Sequence, residues 1–162
     1  MRYMHLLYSS LPAASLGTHE LVEILEPSQA CNRRDGITGL LAFSGDAFLQ
    51  VLEGEEAAVW STYERIVKDS RHSAIRLLGV LHADARTFSD WDMGYAGFQT
   101  FKREIVQRYA KTGTLDCSTL DASKAFSLLA ELSSAAALTS DHGLIAERAS
   151  SAMPLLCHTG AL

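Results

Sequence analysis

The sequence predicts an α+β fold of the ferredoxin-like type: a five-stranded mixed sheet with two helices on one face, plus a two-helix C-terminal cap. The first observation behind this is the order of elements, because the local patterns run strand, helix, strand, strand, helix, strand, strand. The second is size, since 162 residues with 48% apolar side chains suffice for one substantial core. A sheet that is apolar on both faces needs cover on both, and the C-terminal helices can supply it.

The start of the chain predicts a strand followed by a helix. Residues 3–9 (YMHLLYS) have the length and aromatic content of a strand. Thr18 suits a helix N-cap, and apolar positions recur at helical spacing as far as about Cys31. Pro27 lies inside this helix and removes one backbone donor, so we expect a kink or a loosened turn there.

A hairpin and a second helix follow. Residues 35–43 and 47–55 have strand patterns, and the turn between them, 44–46, contains the glycine that hairpin turns favour. From residue 55 the apolar spacing becomes helical, with glutamates in the first turn, and the predicted helix ends near Ser70.

Two further strands complete the predicted sheet. The fourth covers residues 74–82 (AIRLLGVLH), and the fifth runs from about 88 to 95. In the fifth strand Trp91, Met93 and Tyr95 alternate with polar or small residues, so they are predicted to share one face.

The chain divides into three predicted parts. Residues 1–98 form the sheet domain, and residues 99–140 hold capping helices at 102–111 and 119–138. Residues 141–162 show little periodicity, and we expect this tail to be partly disordered.

Composition and motifs argue against several classes of function. A net charge of -5 and a pI near 5.6 do not suit a nucleic-acid surface. No apolar run approaches the about 18 residues of a spanning helix, and the N-terminal run is too short for a secretory signal, so we expect a cytoplasmic protein without membrane contact. The histidines are scattered without ligand spacing, so no metal site is predicted. The common nucleotide, hydrolase and zincin signatures are missing, so the chain is not predicted to be an enzyme.

Gln50 is the unexpected residue of the third strand. Its neighbours in FLQVLEG (48–54) are apolar on both sides, which is typical of a strand covered on both faces. An unpaired buried amide would cost roughly 1–3 kcal/mol there. Two explanations are open: the strand lies at an edge and Gln50 is hydrated, or a buried polar group satisfies the amide.

Five short motifs together point to a known family. They are Tyr8 at the end of the first strand, SQACN (28–32) closing the first helix, Gln50 in FLQVLEG, RHS (71–73) after the second helix and WDM (91–93) on the last strand. Over roughly residues 1–98 the chain resembles the BLUF family of flavin-based blue-light sensors, both in these motifs and in the order of its elements.

The resemblance implies FAD bound noncovalently between the first two helices. The amide of Asn32 can accept a hydrogen bond from flavin N3–H and donate one to O4, although an asparagine here can also cap the helix. Ser28, one turn earlier, can bind the same flavin edge or only its own helix carbonyl. The flavin-binding positions that the resemblance implies are Ile24, Ser28, Asn32, Phe48, Gln50, Arg65, Ile66, Asp69, Arg71 and His72.

The resemblance also implies a photochemical relay. Gln50 would stand between the flavin N5/O4 edge and the hydroxyl of Tyr8, and light would leave its hydrogen bonds rearranged after an electron and a proton move from the tyrosine and return. Whether the amide rotates or tautomerises stays open. Trp91 and Met93 would transmit the change. The plain alternatives are a core aromatic with a hydrated hydroxyl for Tyr8 and an ordinary aromatic sheet face for Trp91.

Short members of the family carry no effector domain, so the resemblance implies output by protein contact, in a homo-oligomer or with an unidentified effector protein in trans.

Cys31 stands where some relatives have a bulkier polar residue, and with Pro27 it leaves the local flavin contacts open. Two alternative functions are a ferredoxin-like ligand-binding or scaffold domain without photochemistry, and an acylphosphatase-like hydrolase. For the hydrolase, the loop SSLPAAS (9–15) offers no evident anion cradle.

Overall fold

A five-stranded sheet positions every other element. The structure, a computed structural model, describes residues 2–13, 18–44, 46–97, 103–109 and 116–137, with the side chains of residues 18–22, 103, 106, 118, 136 and 137 outside the description. Its elements are β1 (Tyr3–Pro12), α1 (Thr18–Asp35), β2 (Thr38–Phe43), β3 (Phe48–Gly54), α2 (Glu56–Val67), β4 (His72–Ala83), β5 (Gly94–Gly97), α3 (Arg103–Tyr109), a 3-10 turn (Cys117–Thr119) and α4 (Ala122–Ala137). The predicted cap at Thr18, the hairpin glycine Gly45 and the tail 141–162 fall outside what is described.

The strand order confirms the predicted fold class. The order is β4-β1-β3-β2-β5, with β1 antiparallel to β3 and β4, β2 antiparallel to β3, and β5 parallel to β2. The sheet is therefore mixed, and β5 is the strand added to the ferredoxin-like arrangement.

Each sheet face carries its own apolar core, because side chains alternate along β1 and β3. The core of the first face, under α1 and α2, includes Leu6, Tyr8, Ile24, Phe48, Leu52, Val59 and Met93. The core of the second face, under α4, includes Leu7, Leu49, Val51, Phe88, Leu128, Leu129 and Leu132. Helix α4 covers the second face, as the apolar character of both faces predicts. The division into separate parts at residue 98 stays a prediction.

Helix α1 runs past its predicted end at Cys31 to Asp35. Gly36 then adopts a left-handed conformation with a φ of 66°, and Ile37 N–H donates to Asn32 O over 2.8 Å. This is the Schellman termination, which a residue without a Cβ favours. The first residues of the predicted strand 35–43 therefore belong to the helix end and its cap. Pro27 lies in the helix interior, as predicted.

The second helix and the fourth strand also differ from the predicted ends. Helix α2 stops at Val67 rather than near Ser70, and β4 already begins at His72. Between them Asp69 makes a tight turn, in which its carboxylate accepts the Arg71 N–H over 2.9 Å and its carbonyl accepts the His72 N–H over 3.1 Å. Local side-chain bonds of this kind compete with helix continuation.

The predicted fifth strand at 88–95 is wrong in position, because β5 begins only at Gly94. The Phe88 N–H is held by the Glu53 carboxylate, and the Trp91 N–H is bonded to Phe88 O over 3.2 Å, so neither donor is free for a ladder. The predicted common face is wrong as well. Trp91 packs against the core under α4, whereas Met93 and Tyr95 belong to the core under α1 and α2.

Candidate functional site

Tyr8 and Gln50 are direct cross-strand partners on two interior strands. Paired residues project to the same face, and here the Tyr8 hydroxyl donates to Gln50 Oε1. Gln50 Nε2 in turn donates to Met93 Sδ over 3.1 Å. The side chains of Tyr8 and Gln50 are only 0% and 6% exposed. The edge explanation for Gln50 is therefore wrong, and buried partners at both ends satisfy the amide.

The Tyr8 phenol is held in its protonated form by its surroundings. Burial, with smaller contributions from Tyr63 and Asp69, raises the pKa of Tyr8 far above the usual range. The rings of Tyr63 and His72 lie 5.5 and 6.5 Å from the Tyr8 ring between centroids. Tyr8 is thus a buried donor whose hydroxyl proton points at one defined acceptor.

Helix α1 holds the segment that enters β5. The buried Asn32 donates through Nδ2 to Asp92 O, and Gln29 donates through Nε2 to Met93 O, each over 2.9 Å. Arg33 adds an ion pair with the Asp92 carboxylate at 2.7 Å. Sequence reasoning missed Gln29 and Arg33. Gln29 lies three residues before Asn32 and four before Arg33, so the three share one helix face, and this spacing was the signal that could have found them.

The hydrogen bonds of Asn32 indicate whether the site suits a flavin. Its backbone carbonyl takes part in the helix termination, and its side chain is directed inward to Asp92. Among the described residues, Asn32 Oδ1 makes no hydrogen bond, so a carbonyl acceptor is available for a ring N–H. The core under α1 and α2 supplies apolar and aromatic side chains, with Phe48 and Ile24 buried and Ile66 half-buried. These residues fit a flat heteroaromatic group with one polar edge.

Ser28 is occupied within its own helix. Its hydroxyl donates to Ile24 O over 2.6 Å, which is the second of the two alternatives that the sequence left open. A role for Ser28 at the flavin edge requires its hydroxyl to leave this carbonyl, and it stays a prediction.

The predicted contacts for the polar tail of the flavin lie together, but the arginines are already paired with carboxylates. Arg65 donates to Asp35 over 2.7 Å. Arg71 pairs with Asp69 and also reaches Glu23 O of α1 over 3.3 Å. Burial opposes ionisation of Asp69, but its hydrogen bonds from the side chain and backbone of Arg71 lower its pKa. A phosphate here would compete with these carboxylates for the same donors.

His72 lies between these charges and the aromatic cluster. Its Nδ1 is 2.9 Å from Ser10 Oγ, and its ring centroid is 5.2 Å from that of Phe48. Burial is the main cause that lowers the pKa of His72, with the nearby Asp69 charge opposing it. The ring is therefore neutral at neutral pH and can act as a flat polar wall.

The family model described as sensors of blue-light using FAD matches residues 3–94. The chain belongs to the BLUF family. It is therefore a member of a family of blue-light sensors whose cofactor is FAD, and the buried Tyr8–Gln50 hydrogen bond lies within the matched residues.

Two named relatives share this domain and differ in the rest of their length. The blue light- and temperature-regulated antirepressor BluF of Escherichia coli (strain K12) is 34% identical over 89 residues, which are 55% of this chain and 21% of that protein. The photoactivated adenylate cyclase subunit alpha of Euglena gracilis is 32% identical over 83 residues, 51% of this chain and 8% of that protein. The chain thus matches about a fifth or less of each relative.

The solved structure of BlsA in its ground state is similar over most of both chains. The TM-score is 0.72 at 29% identity, and the match covers 80% of this chain and 87% of that one. The shared region extends beyond the 92 residues or so of the family match, so it includes part of the chain after β5.

Among the described helices, none is long and apolar enough to cross a membrane.

Proposed function

We propose that this chain is a blue-light receptor in which Tyr8 and Gln50 form the light-operated switch and Met93 is the first residue to respond. One observation carries the proposal: the buried Gln50 amide is fixed between a hydroxyl donor on one side and a thioether acceptor on the other. An amide is both donor and acceptor, so it can exchange these roles without a change of charge. A carboxylate or an apolar residue in this place could not.

The chain's own residues would hold FAD between α1 and α2. Asn32 would bind the polar edge of the ring, and Ile24, Phe48 and Ile66 would supply apolar contacts. Ser28 would bind the same ring edge as Asn32, and Arg65, Asp69, Arg71 and His72 would bind the polar remainder of FAD. When bound, FAD supplies the absorption of blue light and a redox partner for the tyrosine.

Rotation of the Gln50 amide would exchange the positions of its oxygen and nitrogen. Nε2 would then face the Tyr8 oxygen, and Oε1 would face Met93 Sδ. Because Met93 Sδ can accept but not donate, the bond that holds Met93 to Gln50 would be lost. Met93 and its neighbour Trp91, which packs on the opposite core, are the proposed transmitters.

The proposed output is a light-dependent protein contact rather than a reaction. Relatives of this domain include an antirepressor and an adenylate cyclase subunit, so the same sensor is found with different effectors. For this chain we propose a homo-oligomer, or an effector protein bound in trans, in the cytoplasm, without nucleic acid, membrane or metal as partner. Identical elution profiles and partner affinities in darkness and light would contradict this part of the proposal.

An absorption experiment tests the switch. The purified chain should be yellow, with a flavin band that shifts to longer wavelength under blue light and returns in darkness. Tyr8→Phe and Gln50→Leu should bind FAD and lose the shift, because each removes one member of the hydrogen-bonded pair. Tyr109→Phe makes the same chemical change in α3, where the hydroxyl bonds to Glu131, and should leave the shift intact. A normal photocycle in Tyr8→Phe or Gln50→Leu would show that the relay is assigned to the wrong residues.

A further inference from the structure

Glu53 and His5 form a buried polar pair on the sheet face opposite the candidate flavin site. Their side chains are 0% and 1% exposed, and His5 Nε2 lies 2.7 Å from Glu53 Oε2. Neither residue takes part in the proposed Tyr8–Gln50 switch. A buried carboxylate is tolerated only when its oxygens are well paired, so its other partners define what it does.

Those partners connect Glu53 to the segment that precedes β5. The Thr87 N–H donates to Oε2 over 2.6 Å, and the Phe88 N–H lies 3.2 Å from Oε1 and 3.3 Å from Oε2. Thr38 of β2 donates to Oε1 over 2.7 Å. Oε2 is thus shared between His5 and the 87–88 backbone, and a shift of that backbone alters the partners of the atom to which His5 is bonded.

Phe126 of α4 contacts both groups that this carboxylate holds. Its ring centroid lies 5.1 Å from that of His5 and 6.0 Å from that of Phe88, with both pairs in edge-on geometry. Phe126 therefore contacts two residues, His5 and Phe88, that are both hydrogen-bonded to the Glu53 carboxylate, and the three rings form a triangle. Helix α4 therefore touches the segment before β5 directly through Phe88 and indirectly through His5.

The same segment reaches the switch at its other end. Past the turn at Trp91, the carbonyls of Asp92 and Met93 accept hydrogen bonds from α1, and Met93 Sδ accepts the Gln50 amide. Residues 87–93 are therefore fastened to Glu53 at one end and to Gln50 at the other.

We propose that Glu53 and His5 are positioning residues that carry the light-induced change from the 87–93 segment to Phe126 and so to helix α4. The proposal rests on the proposed function, in which Gln50 releases Met93. Displacement of the segment draws the Thr87 N–H away from Oε2, the His5 ring adjusts to the altered carboxylate, and Phe126 follows both of its neighbours. The pair acts on α4 through other residues and has no contact with the chemistry of the switch.

The test uses the full chain with FAD bound. Hydrogen exchange over residues 122–137 is measured by mass spectrometry in darkness and under continuous blue light, and the absorption spectrum is recorded on the same samples. The wild type should show a light-minus-dark difference in α4. Phe126→Leu removes one ring at a half-buried position, so it should keep the spectral shift and reduce the α4 difference about fivefold or more. Glu53→Gln preserves shape but replaces one acceptor oxygen by a donor, and the same result is expected.

Leu132→Val is the matched control, because it trims a buried α4 residue of the same core and leaves the ring triangle intact. It should retain both the spectral shift and the α4 difference. An α4 difference that persists in Phe126→Leu, or an equal loss in Leu132→Val, would overturn the proposal. An α4 difference that persists in Glu53→Gln would overturn it as well. If Glu53→Gln does not fold, His5→Phe decides the matter, because it keeps a ring beside Phe126 but breaks the link to Glu53. A wild-type chain without a spectral shift contradicts the proposed function, whereas a shift without an exchange difference in α4 contradicts only this inference.

Discussion

The hydrogen bond between Tyr8 and Gln50 predicts a specific non-additivity in stability. Tyr8→Phe leaves Gln50 Oε1 without its donor, and Gln50→Leu leaves the Tyr8 hydroxyl without its acceptor. Because both side chains are almost fully buried, water cannot replace the lost partner in either variant. Each substitution should therefore lower the free energy of unfolding by about 1–3 kcal/mol.

The double variant removes both polar groups, so no buried atom is stranded by the loss of the pair. Its loss of stability should fall short of the sum of the single losses by about 1–2 kcal/mol. Urea unfolding of the FAD-free chain, followed by far-ultraviolet circular dichroism, measures all three variants against the wild type. Single losses that add within about 0.5 kcal/mol would refute the interaction, since independent sites add to that accuracy.

Three further predictions concern the rest of the sheet and its supports. Burial opposes ionisation of Glu53, but its hydrogen bonds from His5, Thr38 and Thr87 N–H lower its pKa below the usual 4.5. Because the pKa of Glu53 is lower in the folded state, the stabilisation from its ionised carboxylate is complete above the unfolded-state pKa and disappears as the pH falls through the folded-state pKa. The stability of Glu53→Gln should therefore fall less steeply with decreasing pH than that of the wild type. Equal slopes of stability against pH would count against this prediction. Gly39→Ala should destabilise by about 3 kcal/mol or more, because the new Cβ would lie 2.1 Å from the Val51 carbonyl oxygen of the neighbouring strand; thermal melts decide this, and a wild-type melting temperature would contradict it. Arg33→Ala removes an exposed ion pair and should cost less than about 1 kcal/mol in urea unfolding, so a larger loss would mean that its pair with Asp92 supports the fold.

The sequence predicts well those features that depend on local periodicity. The strands 3–9 and 47–55 and the two helices between the strands are found close to their expected places, because apolar alternation and helical spacing reflect which face is buried. Gln50 could be singled out for the same reason, as an amide that breaks an apolar pattern. Its explanation needed the register, which places Tyr8 directly beside it.

The error in the fifth strand arises because tertiary hydrogen bonds override the local pattern there. The alternation of Trp91, Met93 and Tyr95 resembles a strand, yet a carboxylate from β3 holds the backbone at 87–88 and β5 starts only at Gly94. The pairing of Arg65 with a carboxylate is likewise invisible in sequence, because Arg65 of α2 meets Asp35 at the end of α1. Long-range pairs of this kind depend on how elements pack, which periodicity alone does not specify.

The unequal support of the five strands has a mechanical consequence. Gln50 lies on β3, which is clamped by ladders on both sides, so its backbone is among the stiffest parts of the sheet. Strand β5, in contrast, is four residues long and, within the described sheet, lies at the edge beside β2. If Gln50 is the switch, as proposed, a displacement that begins there should be larger in the short edge strand β5, which follows Met93 directly, than in β3 itself.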